Sequence, residues 1–239
     1  MIKTIKVTLL CIFVFAVIFV IAWQVSKSRT FQFFGGITSR LETDSKIVAL
    51  TFDDGPTKNT IAVLDILKKI GVRATFFVTG AELERNPEEG MMIVQAGHEL
   101  GNHSYSHTRM VLKSQSFIKK EIEETDSLIK ETGYKGDIYF RPPFGKKLVG
   151  LPYYLKKNNR ISIMWDIEPE SDPEISDDPK KIVDYVAEKV KPGSIILLHV
   201  MYDSRANSVK SIEGVVNSLR SMGYKFVTVS ELLKEEKDL

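Results

Sequence analysis

Two adjacent carboxylates, Asp53 and Asp54, stand where an apolar segment breaks into a turn. The preceding residues 46–52 (KIVALTF) are rich in Val, Ile, Leu and Phe and predict a buried strand. Two neighbouring acids at the end of such a strand would repel each other and lose hydration, so their pairing needs a reason. Gly55-Pro56 ends the strand, and the turn could direct both side chains into one site. The alternative is a turn in which an Asp caps the following helix.

A second pair of candidate residues is His103 and His107, in the segment HSYSH. If this segment forms a helical turn, the two imidazoles lie on one side and can bind one ion. An isolated pair at this spacing is more often two surface histidines near a turn. Two histidines and one carboxylate, with a position left for water, form a common catalytic zinc site, and the same set serves non-haem iron oxygenases. We choose Asp54 as the third ligand, which leaves Asp53 free as a base.

Strands and helices alternate along the chain after residue 45. Seven short apolar segments predict strands over 47–52, 74–78, 98–102, 138–140, 161–165, 194–198 and 226–229. Helices are predicted over 57–70, 87–96, 114–132, 147–157, 179–190 and 209–221. This order is typical of parallel strands with helical crossovers. We therefore predict an α/β fold, a distorted (β/α) barrel of about seven parallel strands, preceded by an N-terminal transmembrane helix.

The polar residues of interest all follow predicted strands. They are the pair Asp53-Asp54, His103, Arg141, Asp166 and His199. The carboxyl ends of parallel strands form one face of such a fold, and active sites are built on that face. Helix capping alone does not explain titratable groups at five separate strand ends. We expect these side chains to meet in one site.

The N-terminus carries a run of 17 residues without a charge, 7–23, which Lys3 and Lys6 precede. As a helix this run is about 25 Å long, close to the hydrocarbon thickness of a bilayer. No small-residue cleavage site closes it, so we favour a retained signal anchor over a cleaved signal peptide, which would leave the domain secreted. The basic start predicts a cytoplasmic N-terminus and an extracytoplasmic domain, although Lys27 and Arg29 weaken this signal. The predicted organisation is an anchor over 1–25, a tether over 26–45 and a folded domain over 46–239.

The composition limits the classes of partner. The chain has 33 Lys and Arg against 31 Asp and Glu, and without Lys3 and Lys6 the two counts are equal. A formally neutral domain has no long-range field for polyanions, which argues against nucleic acid and suits a neutral polymer. The single cysteine, Cys11, lies in the apolar run, so the domain has no disulfide and relies on its core. We expect a monomer.

Four motifs, in this order and spacing, resemble the polysaccharide deacetylases of carbohydrate esterase family four. They are TFDDGP at 51–56, HSYSH at 103–107, RPPFG at 141–145 and ILLH at 196–199. The resemblance covers about residues 46–233, essentially the whole outer domain. It implies a catalytic domain that is a metal-dependent N-deacetylase of N-acetylglucosamine polymers such as peptidoglycan or chitin. A glycan polymer is then the substrate, and acetate is released.

The resemblance implies a role for each matching residue. Asp53 would be the general base, and His199 the general acid that protonates the leaving amine. Asp54, His103 and His107 would be the ligands of a divalent metal, with Zn²⁺ favoured and Co²⁺ as an alternative.

Further residues take supporting roles by the same resemblance. Arg141 would orient the catalytic Asp, its alternative being a salt bridge at the rim of the site. The backbone N–H of Phe144 would hold the oxyanion, a role that tolerates Phe in place of the commoner Tyr. Trp165 lies in the matching Trp-containing strand and is expected near the substrate. His98 matches no catalytic residue and is expected to be structural.

The segment 165–172 (WDIEPESD) departs from the family pattern. The family usually carries an Asp-x-x-Asp-Trp type sequence here, whose Asp pairs with the arginine and tunes the acid histidine. Ser171 occupies the position of that Asp, and Asp172 the position of the Trp. Asp166, Glu168 or Asp172 could supply the missing charge, and the sequence does not decide among them.

Two other functions stay open. One is a non-catalytic glycan-binding descendant of the enzyme, although a base, a ligand set and an acid are all present. The other keeps the chemistry and changes the substrate to an O-acetyl ester, a small acetylated amine or a cyclic amide. The altered segment 165–172 keeps this second alternative open.

Overall fold

The computed structural model describes residues 2–235, and within them helices and strands alternate in an α/β fold, as predicted. The strands are β1 (Ile37–Thr38), β2 (Ile47–Asp53), β3 (Thr75–Val78), β4 (Glu99–Asn102), β5 (Ser162–Ile163), β6 (Ile195–His199) and β7 (Lys225–Val227). The α-helices are α1 (Ile2–Lys27), α2 (Thr60–Ile70), α3 (Gly80–Arg85), α4 (Pro87–Gln95), α5 (Gln115–Glu131), α6 (Gly150–Lys157), α7 (Pro173–Ser176), α8 (Pro179–Lys189), α9 (Ala206–Ser221) and α10 (Val229–Glu235).

The strands pair in parallel, as their alternation with helices predicts. The main sheet has the order β4-β3-β2-β6, β7 pairs with the first residues of β2, and β1 pairs with β5. In this register Asp53 lies beside Phe77 of β3 and His199 of β6. The carboxyl ends of β2 and β6 therefore place an acid and a histidine on neighbouring strands.

Isolated bridges continue the pairing beyond the main sheet. Phe140 bridges Asn102 at the end of β4 and Ser162 at the start of β5. Ile167, a few residues after β5, bridges Ile196 in β6. The parallel pairings thus run from β6 through β2, β3, β4 and β5 back to β6, in the manner of a distorted barrel.

Three expected segments differ from the structure. Residues 138–140 do not form a strand, because only Phe140 makes bridges. The last predicted strand ends at Val227, because Thr228 begins a capping box: its N–H donates to Glu231 Oε2 at 3.0 Å, and the Glu231 N–H donates to Thr228 Oγ1 at 3.4 Å. The segment 26–45, expected to be a tether, contains β1 and packs on the domain through the buried Leu41.

β2 is buried on both faces, which explains its unbroken apolar sequence. Val48, Leu50 and Phe52 pack in one cluster with the apolar faces of α2 and α9. Ala49, whose side chain points to the other face, packs with Leu197 in a second cluster. Because apolar side chains cover both faces of the sheet, polar side chains of the central strands have access to solvent only at the strand ends.

The helix α1 is long and apolar enough to cross a membrane, and an 18-residue stretch of it has a mean hydropathy of 2.9. Its residues 4–21 are all exposed, whereas its last turn packs on the domain. The Lys147 N–H donates to the Ser26 carbonyl at 2.9 Å, and the buried Lys147 ammonium donates to the Ser28 carbonyl. The Lys146 ammonium lies 4.4 Å from the centre of the Trp23 ring. The end of α1 is therefore fixed against residues 146–147.

Candidate active site

Asp53 and Asp54 lie at the carboxyl end of β2, in a cleft of about 480 Å³. Asp53 is the last residue of the strand and is 2 % exposed. The chain leaves the strand at Asp54, which has a φ of 71°, and turns at Gly55. A left-handed φ is uncommon for a non-glycine residue and changes the direction of the second carboxylate. Both acids therefore line the same cleft.

The guanidinium of Arg141 is fully buried beside Asp53. It donates to Asp53 Oδ1 at 2.6 Å and to Thr51 Oγ1 at 2.9 Å. It also donates to the carbonyl oxygens of Ile163 and Met164, at 3.3 and 3.1 Å. This burial excludes the alternative of a salt bridge at the rim. One oxygen of Asp53 is fixed by the arginine, and Oδ2 is left for other contacts.

The Asp53 carboxylate is held in its charged form. Burial alone would raise its pKa, but the charges of Arg141 and of two histidines outweigh burial and lower the pKa. Its Oδ2 lies 3.6 Å from His103 Nε2. Asp53 is therefore ionised and able to accept a proton at neutral pH, although a low pKa makes it a weak base.

Asp54, His103 and His107 bring three potential metal-ligand atoms within 4.8 Å of one another, and we call them the ligand set. His107 Nε2 lies 3.4 Å from Asp54 Oδ1. His103 Nδ1 lies 2.8 Å from the Arg141 carbonyl oxygen, which can only accept. In the neutral imidazole, His103 Nδ1 therefore carries the proton, and Nε2 presents its lone pair. Two imidazole nitrogens and one carboxylate fit a catalytic Zn²⁺ site.

The imidazole of His107 is neutral at pH 7. Burial, and then the neighbouring His103, lower its pKa to about 4. The Phe144 ring packs against it, with 4.5 Å between ring centres. A neutral imidazole is the form that binds metal ions, so His107 is ready to act as a ligand.

The segment 103–107 is a loop and not the helical turn that its spacing suggested. Left-handed φ angles of 65° at Ser104 and 54° at His107 are incompatible with a helix. The Ser104 N–H donates to Asn102 Oδ1, and the Ser106 N–H donates to Glu121 Oε2, each at 2.8 Å. The loop is thus held by hydrogen bonds to β4 and α5, and it brings the two imidazoles together.

His199, at the end of β6, pairs with an acid that none of the motifs marked. Glu170 Oε2 lies 2.5 Å from His199 Nδ1 and accepts from the His199 backbone N–H at 2.9 Å. The Glu170 side chain is 2 % exposed, and its other oxygen accepts from the Ser208 hydroxyl. Glu170 therefore orients His199 from one side and is itself held by α9.

Asp166, Glu168 and Asp172, the acids expected to supply the charge beside the acid histidine, have partners other than His199. Asp166 accepts from the hydroxyl of Ser194 at 2.8 Å. Glu168 forms an ion pair with Arg29 at 2.5 Å. Asp172 accepts from a backbone N–H at the start of α7 and caps that helix. None of the three pairs with His199, whose partner is Glu170. Glu168 does line the cleft. Burial lowers the pKa of Arg141, and the charge of Glu168 acts against that effect.

The pKa of His199 is well above its ordinary value. Burial alone would lower it, but the hydrogen bond to Glu170 and the charges of Asp53, Glu170 and Asp54 raise the pKa to about 9. The imidazolium form is therefore present at neutral pH. A general acid needs this protonated form.

We expect Glu170→Gln to move the alkaline limb of the pH–rate profile to lower pH. The acid form of His199 is present below its pKa and is lost as the pH rises through that value. Removal of the Glu170 charge should lower the pKa by about one unit or more. Turnover measured from about pH 6 to about pH 10 checks this. Glu174→Gln, at an exposed acid of α7, is the control, and an unchanged limb in Glu170→Gln would contradict the pairing.

Phe144 and Trp165 line the same cleft as the two acids. Phe144 has a φ of 56°, and its ring is half exposed. Trp165 is buried and donates its Nε1–H to Glu168 Oε2 at 2.9 Å, with the Arg29 guanidinium 4.6 Å above its ring. Their roles in holding the oxyanion and the substrate stay predictions.

His98 is buried outside this cleft. Its Nδ1 accepts from the Ala74 backbone N–H at 3.2 Å, at the start of β3. Burial, and then the charge of Arg73, lower its pKa to about 4. A neutral histidine that accepts a backbone hydrogen bond supports the structural role expected for it.

Comparisons with known proteins agree with the motifs. The polysaccharide deacetylase family model matches residues 40–162. A peptidoglycan-N-acetylglucosamine deacetylase of Bacillus cereus is 32% identical over 201 residues, which cover 84% of this chain and 94% of that protein.

Solved structures of carbohydrate esterase family 4 are similar as well. A pseudoenzyme of this family from Bacillus anthracis has a TM-score of 0.73 at 29% identity, over 83% of this chain and 69% of that chain. A mutant of that pseudoenzyme with restored activity has a TM-score of 0.75 at 30% identity, over 83% and 71%. The corresponding domain of a multidomain xylanase from the hindgut metagenome of Trinervitermes trinervoides has a TM-score of 0.73 at 33% identity, over 81% and 92%.

Proposed function

Because this chain belongs to the polysaccharide deacetylase family, we propose that it hydrolyses the N-acetyl groups of an N-acetylglucosamine-containing glycan, with a divalent metal. The observation that carries the proposal is the content of one cleft. It is lined by Asp53, the ligand set and His199. The buried Arg141 pairs with Asp53, and Glu170 pairs with His199. A base, a metal site and an acid are the three parts that this hydrolysis needs.

The base and the acid have separate positions. Arg141 holds Oδ1 of Asp53, so Oδ2 is the oxygen that takes the proton of the attacking water. The water oxygen adds to the acetyl carbon, and the carbonyl oxygen becomes an oxyanion. The carbon–nitrogen bond then breaks as the carbonyl re-forms, and His199 gives its proton to the departing nitrogen. An amine is a poor leaving group until it is protonated, so the raised pKa of His199 supports this role.

The ligand set would hold the metal. A bound Zn²⁺ or similar ion lowers the pKa of water and polarises the acetyl carbonyl. The residues of the chain prepare the site for it: His103 presents Nε2 because its Nδ1–H is occupied, and His107 is neutral. The backbone N–H of Phe144 is proposed as a second stabiliser of the oxyanion.

We further propose that α1 anchors the protein in a membrane with the catalytic domain outside the cytoplasm. The absence of a small-residue cleavage site, and the contact of Trp23 inside the apolar run with Lys146, favour a retained anchor over a cleaved signal. Lys147 binds the backbone of Ser26 and Ser28, and Arg29 pairs with Glu168. Residues 26–29 are thus part of the folded domain, and loss of this segment would leave the Lys147 ammonium buried without its acceptor.

The proposal is tested by a product assay with defined metals. Peptidoglycan, N-acetylglucosamine oligomers and acetylxylan are incubated with the full chain and Zn²⁺ or Co²⁺, and acetate and free amine are measured. We expect both products from the N-acetylated glycans, their loss with a chelator and their return with added metal. A chain that binds glycan but releases no acetate with either metal would instead be a non-catalytic binding protein.

Two of the similar proteins give reasons to keep both alternatives in the assay. One is a pseudoenzyme, and another is part of a xylanase. Retention of the base, the acid and the ligand set favours catalysis over simple glycan binding. Acetate from acetylxylan without free amine from the other glycans would identify an esterase and overturn the N-deacetylase proposal.

A further inference from the structure

Lys27, the last residue of α1, lines the same cleft as the catalytic acids. Arg29, Lys146 and Arg205 line it too, beside the carboxylates of Asp53, Asp54 and Glu168. Of these acids, Asp53 pairs with Arg141 and Glu168 with Arg29. A chitin-like polymer carries no charge and gives no reason for four basic side chains at this place, whereas the carboxylates of peptidoglycan or a phosphate would give one. In a domain that is formally neutral, such a concentration indicates an anionic group on the substrate.

Most of this positive charge is not neutralised within the described part of the chain. Within residues 2–235, no carboxylate lies within 4.0 Å of the charged groups of Lys27, Lys146 or Arg205, whereas Arg29 has one such partner. Partial burial, and then the charges of Lys27 and Arg109, lower the pKa of Lys146. These cations therefore repel one another, and a bound anion would relieve that repulsion.

The cleft opens where α1 leaves the domain. Trp23 contacts Lys146, and Trp is typical of the membrane–water interface. Lys27 lies about 6 Å further along the helix axis than Trp23. Phe31 and Phe33, just beyond the helix, are half exposed. If α1 spans a bilayer, it holds the cleft at the level of the lipid headgroups.

The basic residues at this end of α1 also oppose the membrane orientation proposed for the helix. Lysine and arginine are favoured at the cytoplasmic end of a membrane span. Lys3 and Lys6, at the start of α1, follow this rule, whereas Lys27 and Arg29 oppose it. A role in binding substrate accounts for their position.

We propose that the substrate is an N-acetylated saccharide joined to a membrane lipid through a phosphate or diphosphate, which Lys27 and Lys146 bind at the rim of the cleft. This inference rests on the proposed deacetylase function and names the carrier of its substrate. The lipid keeps the saccharide at the headgroup level, and the phosphate supplies the anion. A mature polymer away from the membrane would not lie at the headgroup level, and a chitin-like one would also lack the anion.

The test uses the full chain, reconstituted in lipid vesicles and loaded with Zn²⁺. Three probes are compared: polyprenyl-diphosphate N-acetylglucosamine in the same vesicles, uridine-diphosphate N-acetylglucosamine in solution, and chitotetraose in solution. We expect kcat/KM for the lipid probe to exceed that for the tetramer by about tenfold or more. The soluble nucleotide sugar, which has the phosphates but not the lipid, should fall between them.

Lysine variants show whether the charges cause the preference. Lys27→Ala and Lys146→Ala should each lower the preference for the lipid probe over the tetramer by about fivefold. Lys68→Ala, at an exposed lysine of α2 outside the cleft, is the matched control and should keep the preference. Both tryptophans of the chain, Trp23 and Trp165, lie at this site, so quenching of their fluorescence by the lipid probe measures binding without turnover.

Three results would overturn the proposed substrate. The first is a lipid probe that is hydrolysed no faster than the tetramer. The second is lysine variants that lower the rates with the lipid probe and the tetramer equally. The third is a nucleotide sugar that is hydrolysed as fast as the lipid probe. Absence of acetate from all three probes is a different outcome, because it contradicts the deacetylase function itself.

Discussion

Replacing Asp53 with Asn is expected to lower turnover by about two to four orders of magnitude while the metal stays bound. Asp53 binds Arg141 through one oxygen and contributes no atom to the ligand set. Asn keeps the shape of the side chain but cannot take a proton from water. Acetate release from an N-acetylglucosamine oligomer and metal content after dialysis are the two measurements. Asp65→Asn, at an exposed acid of α2, is the control and should change neither.

The same substitution should also destabilise the fold. Arg141 is fully buried, and within residues 2–235 Asp53 is the one carboxylate within 4.0 Å of it. Removing one partner of a buried ion pair typically costs about 3 to 5 kcal/mol. The free energy of unfolding, from urea denaturation, therefore has to accompany the kinetics. Turnover is then compared per folded molecule, so that lost chemistry is separated from lost structure.

Replacing His103 or His107 with Ala is expected to remove the metal itself and to lower turnover by about a thousandfold or more. Each substitution deletes one of three ligand atoms, and the remaining two hold the ion poorly. Metal content after dialysis is the direct measurement. His98→Gln is the matched control, since it changes a histidine outside the cleft and should leave the metal content unchanged.

A comparison of the two acids checks the division between base and ligand. Asp54→Asn should lose metal, as the histidine variants do, whereas Asp53→Asn should retain it. If the metal content fell in Asp53→Asn and survived in Asp54→Asn, the assignment of the two acids would be reversed.

The position of the site could be predicted from the sequence because the strands are buried on both faces. Such strands have unbroken apolar sequences, so a polar residue that follows one marks its carboxyl end. Asp53 and His199 stand at the ends of β2 and β6, and the parallel register makes them neighbours. The fold class followed from the same alternation of apolar segments and amphipathic helices.

Glu170 could not be predicted from spacing. It lies in the 3₁₀ turn Pro169–Ser171, which has no hydrophobic period, and its contact with His199 joins residues 29 apart. The family pattern drew attention to Ser171, one position away. Only the three-dimensional path of the turn, with Ser208 on the other side of Glu170, brings this carboxylate to the imidazole.

The conformation of the loop 103–107 could not be predicted from the sequence, for a different reason. Two histidines four residues apart fit a helical turn and a loop equally well. The loop is selected by tertiary hydrogen bonds, among them that from the Ser106 N–H to Glu121 on α5. The strand β1 was missed because its two residues are too short to show any alternation.

The central claim is that this cleft releases acetate from an N-acetylated glycan when a metal occupies the ligand set. The most direct test is to titrate Zn²⁺ into metal-free protein and to measure bound metal and released acetate in the same samples. We predict that acetate release rises and saturates with bound metal, and that Asp53→Asn binds the metal but releases little acetate. Full activity without metal, or none at full occupancy while glycan is bound, would contradict the claim.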